Sequence, residues 1–333
     1  MDIIFLGTSS GTPTKARNVS AAAIKRHNQK RWCLVDCGEG TQHQLLHTKL
    51  SLNHLAAIMI THVHGDHCFG LPGLLASAAM AGRTTPLTVF APAAIQSWLI
   101  SCQEMSQTFL AFEINFIAVE TLDEPQDLGD FLVAKLPLSH RVDSFAYHFI
   151  EQHIERSLDT EKLIQSDIPA GPLWSKIHQG GPVELPSGQV VNGEDFWLPK
   201  RKPRAVIVSG DNDSPELLAA AASETDVLIH ESTYTQDVAD KVGPGPQHSS
   251  ARQVATFAEQ AQIKNLILTH FSARYQYGRN QDASINDIAE EASDIYQGQL
   301  FLANDFDHFQ LDKEGNLKLV ASKECELNQS PNS

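Results

Sequence analysis

Long apolar runs are missing from this chain. Its most apolar segment, residues 71–81, is broken by Pro72 and Gly73 and falls short of the roughly 18 apolar residues that cross a bilayer. Residues 1–7 carry an acid at position 2 and no basic stretch, and their apolar run stops at Gly7. A secretory leader is therefore not expected, no membrane partner is implied, and the chain reads as cytoplasmic. Paired cysteines are lacking too. Cys33, Cys37, Cys68, Cys102 and Cys325 form an odd, scattered set with no CxxC, which suits neither a disulfide framework nor a thiolate zinc site. They read as buried thiols. Positive charge is also short: 25 Lys+Arg against 40 Asp+Glu leave a net −15 over 333 residues. That balance opposes non-specific coating of nucleic acid but leaves room for a local basic patch. Two glycine-bearing stretches lack what a nucleotide loop requires. Residues 7–13 have no Lys-Ser/Thr, and Gly38-Glu39-Gly40 has no third glycine, so both read as tight turns flooring a site.

What is present is alternation. Residues 2–6, 31–35 and 56–60 read as strands, and 71–81 as a helix. Strand and helix then recur at 87–90 and 93–101, at 205–208 and 216–222, and at 227–229. A helix over 250–260, a strand over 265–268, a helix over 285–296 and a strand over 299–302 complete the series. The class is α/β. One large layered domain over residues 1–320 accounts for the length, and residues 321–333 read as a frayed polar tail. Residues 151–204 break the rhythm with Gly, Pro and charge. An irregular insertion of that length in a compact domain reads as a functional protrusion.

Histidine is plentiful and clustered. His62-Val63-His64-Gly65-Asp66-His67 places three imidazoles and a carboxylate on a loop after a strand. A loop can aim His62 and His64 at one point and Asp66 and His67 at another, which helical spacing forbids at i and i+2. Neutral imidazole and carboxylate suit Zn²⁺, with Mn²⁺ or Co²⁺ equally compatible. Six residues cannot complete two sites, so further ligands are expected at distant strand ends. His140, Asp211 and His270 qualify.

With those distant residues the HxHxDH loop resembles the metallo-β-lactamase superfamily. Within it, Asp36-Cys37-Gly38-Glu39-Gly40-Thr41-Gln42, His230-Glu231-Ser232-Thr233 and Leu268-Thr269-His270-Phe271-Ser272-Ala273-Arg274-Tyr275 resemble the ribonuclease Z family of tRNA 3′-end endonucleases. The resemblance implies a four-layer αβ/βα sandwich with an inserted exosite arm over 151–204. It implies one zinc on His62, His64 and His140, another on Asp66, His67 and His270, and Asp211 as the bridge. Asp66 would also hold the attacking water, and His248, oriented by Glu231, would protonate the leaving oxygen. Precursor tRNA would be cut 3′ to the discriminator nucleotide, by a homodimer.

Gly171, Pro172 and Lys176 in the arm, and Arg274 outside it, are the candidate substrate contacts. The arm is not uniformly basic: residues 150–204 hold seven Lys+Arg and eight Asp+Glu. That near-neutral balance keeps open a broader zinc phosphodiesterase acting on small diesters or single-stranded RNA; a second alternative, from another class, is a non-catalytic RNA-binding module using a degenerate metal fold. Asn212, where the resembled family commonly has Thr, affects only the surroundings of Asp211.

Overall fold

The computed structural model describes residues 1–275 and 283–322. Most of the expected polar tail, with Cys325, lies outside the described residues. The chain divides into two compact units, one formed by Met1–Ile150 with Arg204–Ser333 and the other by Glu151–Pro203.

The larger unit holds two large sheets, and Ser9–Ser10 pairs with Phe271–Ser272 in a third of two strands. One has eight strands in the order Leu317–Ala321, His308–Leu311, Asp2–Gly7, Ala21–Lys25, Trp32–Val35, Leu55–Met59, Leu87–Ala91 and Ile114–Ala118. The other has seven, in the order Gln299–Leu302, Asn265–Thr269, Val227–Glu231, Ala205–Val208, Ser144–Glu151, Phe131–Leu138 and Gln126–Asp127. Successive side chains on a strand point to opposite faces, and the core divides accordingly. Ile3, Phe5 and Met59 from the first sheet share one buried cluster with Phe149, Val208 and Ile229 from the second. The alternate residues Leu6, Ile58 and Ile60 pack instead with Leu71, Leu74 and Ile95 of the helices Leu71–Met80 and Ala93–Ser106. On the far side, Leu228 and Leu268 pack with Val254 and Ile288 of Ala251–Gln260 and Ile285–Ser293. Helix, sheet, sheet, helix: this is the αβ/βα sandwich, with its central strands buried on both faces.

Cys33, Cys37 and Cys68 are buried, whereas Cys102 on the helix Ala93–Ser106 is only half-buried. No helix among the described residues is long and apolar enough to cross a membrane.

The smaller unit is more regular than its sequence suggests. It contains helices Thr160–Gln165 and Pro172–Gln179 and a hairpin of Pro182–Glu184 with Val190–Asn192. Leu163, Ile168, Ile177, Val183 and Phe196 form its core. The Gly and Pro residues that dilute its apolar pattern stand at element ends. Pro172 opens a helix, where its missing N–H costs nothing, and Gly180 closes it at φ 86°. Elements this short show no periodicity in a sequence window.

Candidate metal centre

Parallel strands from both sheets deliver the site residues at their C-terminal ends, where α/β folds place ligands. His62 follows Leu55–Met59, Asp211 follows Ala205–Val208, Glu231 ends Val227–Glu231, and His270 follows Asn265–Thr269. Close approach of the sheets is required here. A Cβ on Gly210 would lie 2.7 Å from the Thr61 Cβ and 2.9 Å from the Phe145 carbonyl oxygen, so glycine lets Asp211 reach His62.

The seven expected ligands form two converging groups, His62, His64, His140 and Asp211 in one and Asp66, His67 and His270 in the other. In the first, His64 Nδ1 stands 3.0 Å from His62 Nε2 and 3.2 Å from His140 Nε2. In the second, His67 Nε2 and His270 Nε2 are 3.2 Å apart, and Asp66 Oδ2 lies 3.5 and 3.4 Å from them. Asp211 divides its oxygens between the groups. Its Oδ2 lies 3.6 Å from His62 Nε2 and 3.7 Å from His140 Nε2, and its Oδ1 lies 3.4 Å from His67 Nε2 and 3.3 Å from His270 Nε2.

The outward hydrogen bonds set the tautomers. Asp36 can only accept, so His67 Nδ1–H donates to its Oδ2 at 2.7 Å. Thr61 donates its hydroxyl to the same carboxylate and therefore accepts from His62 Nδ1–H at 3.0 Å. His140 Nδ1–H donates to the Gln247 carbonyl at 2.9 Å. Thr233 donates to Glu231 at 2.5 Å and accepts from His270 Nδ1–H at 3.0 Å. Four of the five imidazoles are thereby turned with Nε2 inward, the arrangement that presents a lone pair to a cation. His64 presents Nδ1.

The residues fit divalent metal on two further observations. Inward nitrogens 3.0–3.2 Å apart repel unless a proton or cation lies among them, and Asp211 Oδ1 is buried without accepting a hydrogen bond from a described residue. The ionisation states agree. Burial chiefly, with its imidazole neighbours, holds His62 well below the usual histidine range, and burial lowers His64 and His140. Against burial, His270, His67 and His62 hold Asp211 well below the carboxylate range. His67 is the exception: despite burial, Asp211, Asp36 and Asp66 raise it well above the usual value. A cation bound there would replace that proton.

Beside the ligands, His248 Nδ1 meets Glu231 Oε1 at 3.0 Å. Burial would lower His248, but the Glu231 carboxylate raises it to about 9. Glu231 is fixed by the Asn212 amide at 3.0 Å as well as by Thr233. Asn212 itself accepts from the Ser139 amide at 3.1 Å and meets His230 Nε2 at 3.1 Å, tying the His140 segment to the Asp211 loop. The site mouth, about 330 Å³, is lined by Gly11, Asp66, Arg141 and His248 among others, and the Gly11 amide donates to Asp66 Oδ2 at 2.7 Å.

The substrate candidates are scattered. Arg274 is exposed, with its guanidinium 5.1 Å from the Tyr234 ring centroid. Gly171, Pro172 and Lys176 are exposed in the smaller unit. In the basic run 200–204, Arg201 pairs with Glu151 at 2.7 Å and Arg204 is buried, donating to the Leu311 carbonyl at 2.8 Å. Sequence reasoning assigned no role to Asp36, Thr61, Thr233 or Arg141. Asp36 alone carried a signal, as a carboxylate just before a glycine turn.

A model of the family described as anti-Pycsar protein Apyc1 matches residues 1–161. Among solved structures, a metallo-β-lactamase-fold protein of Bacillus subtilis superposes with a TM-score of 0.61 at 17% identity, covering 92% of this chain and 98% of that one. The short form of human tRNase Z superposes with a TM-score of 0.64 at 25% identity, covering 94% and 100%. Fold and centre together define a hydrolase of the metallo-β-lactamase fold. Ribonuclease Z of Pseudomonas putida (strain GB-1) is 52% identical over 320 residues, 96% of this chain and 100% of the relative. The chain belongs to the ribonuclease Z family.

Proposed function

We propose that this enzyme cuts precursor tRNA on the 3′ side of the discriminator nucleotide, leaving a 3′-hydroxyl on the tRNA and a 5′-phosphate on the trailer. The observation that carries the reading is the inward turn of four imidazoles around an Asp211 whose two oxygens face two ligand groups. Two zinc ions suit this donor set, with Mn²⁺ or Co²⁺ compatible. Bound there by His62, His64 and His140, by Asp66, His67 and His270, and by Asp211 between them, they would polarise the phosphoryl oxygens and acidify an attacking water.

The remaining work belongs to the chain. Asp66 orients the water and takes its proton as the new P–O bond forms. His248, protonated at neutral pH because Glu231 holds its Nδ1–H, donates from Nε2 to the ribose 3′-oxygen as the P–O3′ bond breaks. Glu231 positions His248 and keeps it charged. Arg141 at the mouth attracts the scissile phosphate. Gly171, Pro172 and Lys176 supply contacts to tRNA, partly through backbone amides. Assembly as a homodimer in the cytoplasm completes the proposal.

Metal-loaded enzyme is expected to cut a 3′-extended tRNA transcript, and chelation is expected to abolish cutting. His248→Ala should keep its metal content and lose about 10²–10⁴-fold in kcat, the usual worth of a general acid. Undiminished cutting by that variant would contradict the assigned role.

A further inference from the structure

His248 is shared between two hollows. One is the mouth over the metal ligands. The other is a pocket of about 380 Å³ on its far side, with Asp213, Tyr234, Pro244, Pro246 and Gln247 in its wall. We propose that this second pocket is a nucleobase subsite, taking the base of the nucleoside that keeps the 3′-hydroxyl, with the Tyr234 ring as its stacking face. The inference rests on the endoribonuclease reading above.

Position comes first. His248 gives Nδ1 to Glu231 at 3.0 Å, which leaves Nε2 for the leaving 3′-oxygen. The ribose bearing that oxygen must then sit within one hydrogen bond of His248. Its base, a sugar's width further on, reaches the pocket that His248 also walls. Chemistry agrees with position. No Lys or Arg among the described residues lines this pocket, whereas Arg141 lines the mouth. The mouth therefore suits phosphate, whereas the pocket, with Asp213 and Asp240 in its wall, repels phosphate and suits a heterocycle that carries amino groups. Tyr234 stands edge-on to His248, with ring centroids 6.0 Å apart at 78°. The Arg274 guanidinium lies over the Tyr234 ring, 5.1 Å from its centroid, so a cation caps one face of the ring and the base would take the opposite one. Pro244 and Pro246 add apolar wall, while Asp213 and Gln247 offer acceptors to ring amino groups. The pocket is also tied to the centre, because the Gln247 carbonyl is the group that accepts from His140 Nδ1–H. Stacking is tolerant of base identity, so the subsite demands a base without choosing one.

The test uses full-length, zinc-loaded enzyme and precursor tRNA transcripts carrying each of the four discriminator bases or an abasic nucleotide at that position. The wild type should cut all four with similar kcat/KM and the abasic transcript about tenfold more slowly, within the range that base stacking supplies. Tyr234→Ala should lose about as much on the four natural transcripts and nothing further on the abasic one, and Tyr234→Phe should restore cutting. Equal cutting of abasic and natural transcripts by the wild type would overturn the subsite, without any variant having to fold. So would an equal loss on both kinds of transcript in Tyr234→Ala. Failure of the wild type on every transcript would overturn the endoribonuclease reading and the subsite with it, a result distinct from the other two.

Discussion

Asp36 holds two segments of the centre at once. Its Oδ1 accepts the Thr61 amide at 2.8 Å, and its Oδ2 accepts the Thr61 hydroxyl at 3.0 Å and His67 Nδ1–H at 2.7 Å. Thr61 in turn orients His62, so one carboxylate aims a histidine of each group. Asp36→Asn keeps the shape, and Asn tolerates the backbone φ of 60° found there. It nevertheless sets an NH₂ against donors. Metal affinity, measured by competition with a chelator, should fall about 10–100-fold; unchanged affinity would show that His62 and His67 need no such support. Glu231 acts on a proton instead. It raises His248 to about 9, so the acid form is present below that pH and is lost above it. In Glu231→Gln the alkaline limb of the kcat profile should move to lower pH. A limb that stays put would assign it to another group. At this scale the candidate ligands stood out because HxHxDH concentrates four donors in six residues and His140, Asp211 and His270 stand just past strand ends. Asp36, Thr61 and Thr233 were not, because their role exists only after two sheets bring them beside an imidazole.

Elements set how closely those residues can meet. Gly210 packs on Thr61 where the sheets approach, and a methyl group there meets backbone and side chain together. Gly210→Ala should cost about 3 kcal/mol in urea unfolding and weaken metal binding by pushing Asp211 outward. Wild-type stability and affinity would refute the close-approach argument. At the sheet's other end, Asp2 pairs across to Lys25 and Gln310. Burial pushes its carboxyl up, but His308 and His27 prevail and lower it from 3.8 to about 2. A depressed folded value stabilises above the unfolded one, so this contribution is present above pH 3.8 and is lost as pH falls towards 2. Solvent at His27 limits it to about 1 kcal/mol. Asp2→Asn should lower stability by that much at pH 6, with the difference from wild type closing towards pH 2.

Most helices and parallel strands were legible from runs of Val, Ile and Leu bounded by turns. The strand Ala21–Lys25 was not, because three alanines carry little strand preference and its neighbours on both sides hold it in place. Ser144–Glu151 is buried along nearly its whole length, which leaves no alternation to read. Phe131–Leu138 carries Lys135 and Pro137, which hide a strand that lies between Ser144–Glu151 and Gln126–Asp127 in its sheet.

For the whole molecule, the net charge of −15 turns from an argument against nucleic acid into a constraint on how it is bound. On the proposed function, affinity would come from local features: the metal centre, Arg141 and Arg274, and a near-neutral arm that would use backbone amides as well as Lys176. RNA should therefore be chosen by shape, with weak binding to RNA in general. Replacing residues 155–200 with a short Gly-Ser link should raise KM for precursor tRNA about tenfold or more while changing kcat little, the signature of lost uniform binding. Equal turnover of precursor tRNA with and without the arm would favour a broader phosphodiesterase.

The central claim is most directly tested by mapping both ends released from one 3′-extended tRNA transcript by zinc-loaded enzyme, beside the hydrolysis of bis(4-nitrophenyl) phosphate. The account predicts a single cut 3′ to the discriminator nucleotide, with a 3′-hydroxyl upstream and a 5′-phosphate downstream. Hydrolysis of the small diester with the transcript left intact would contradict it.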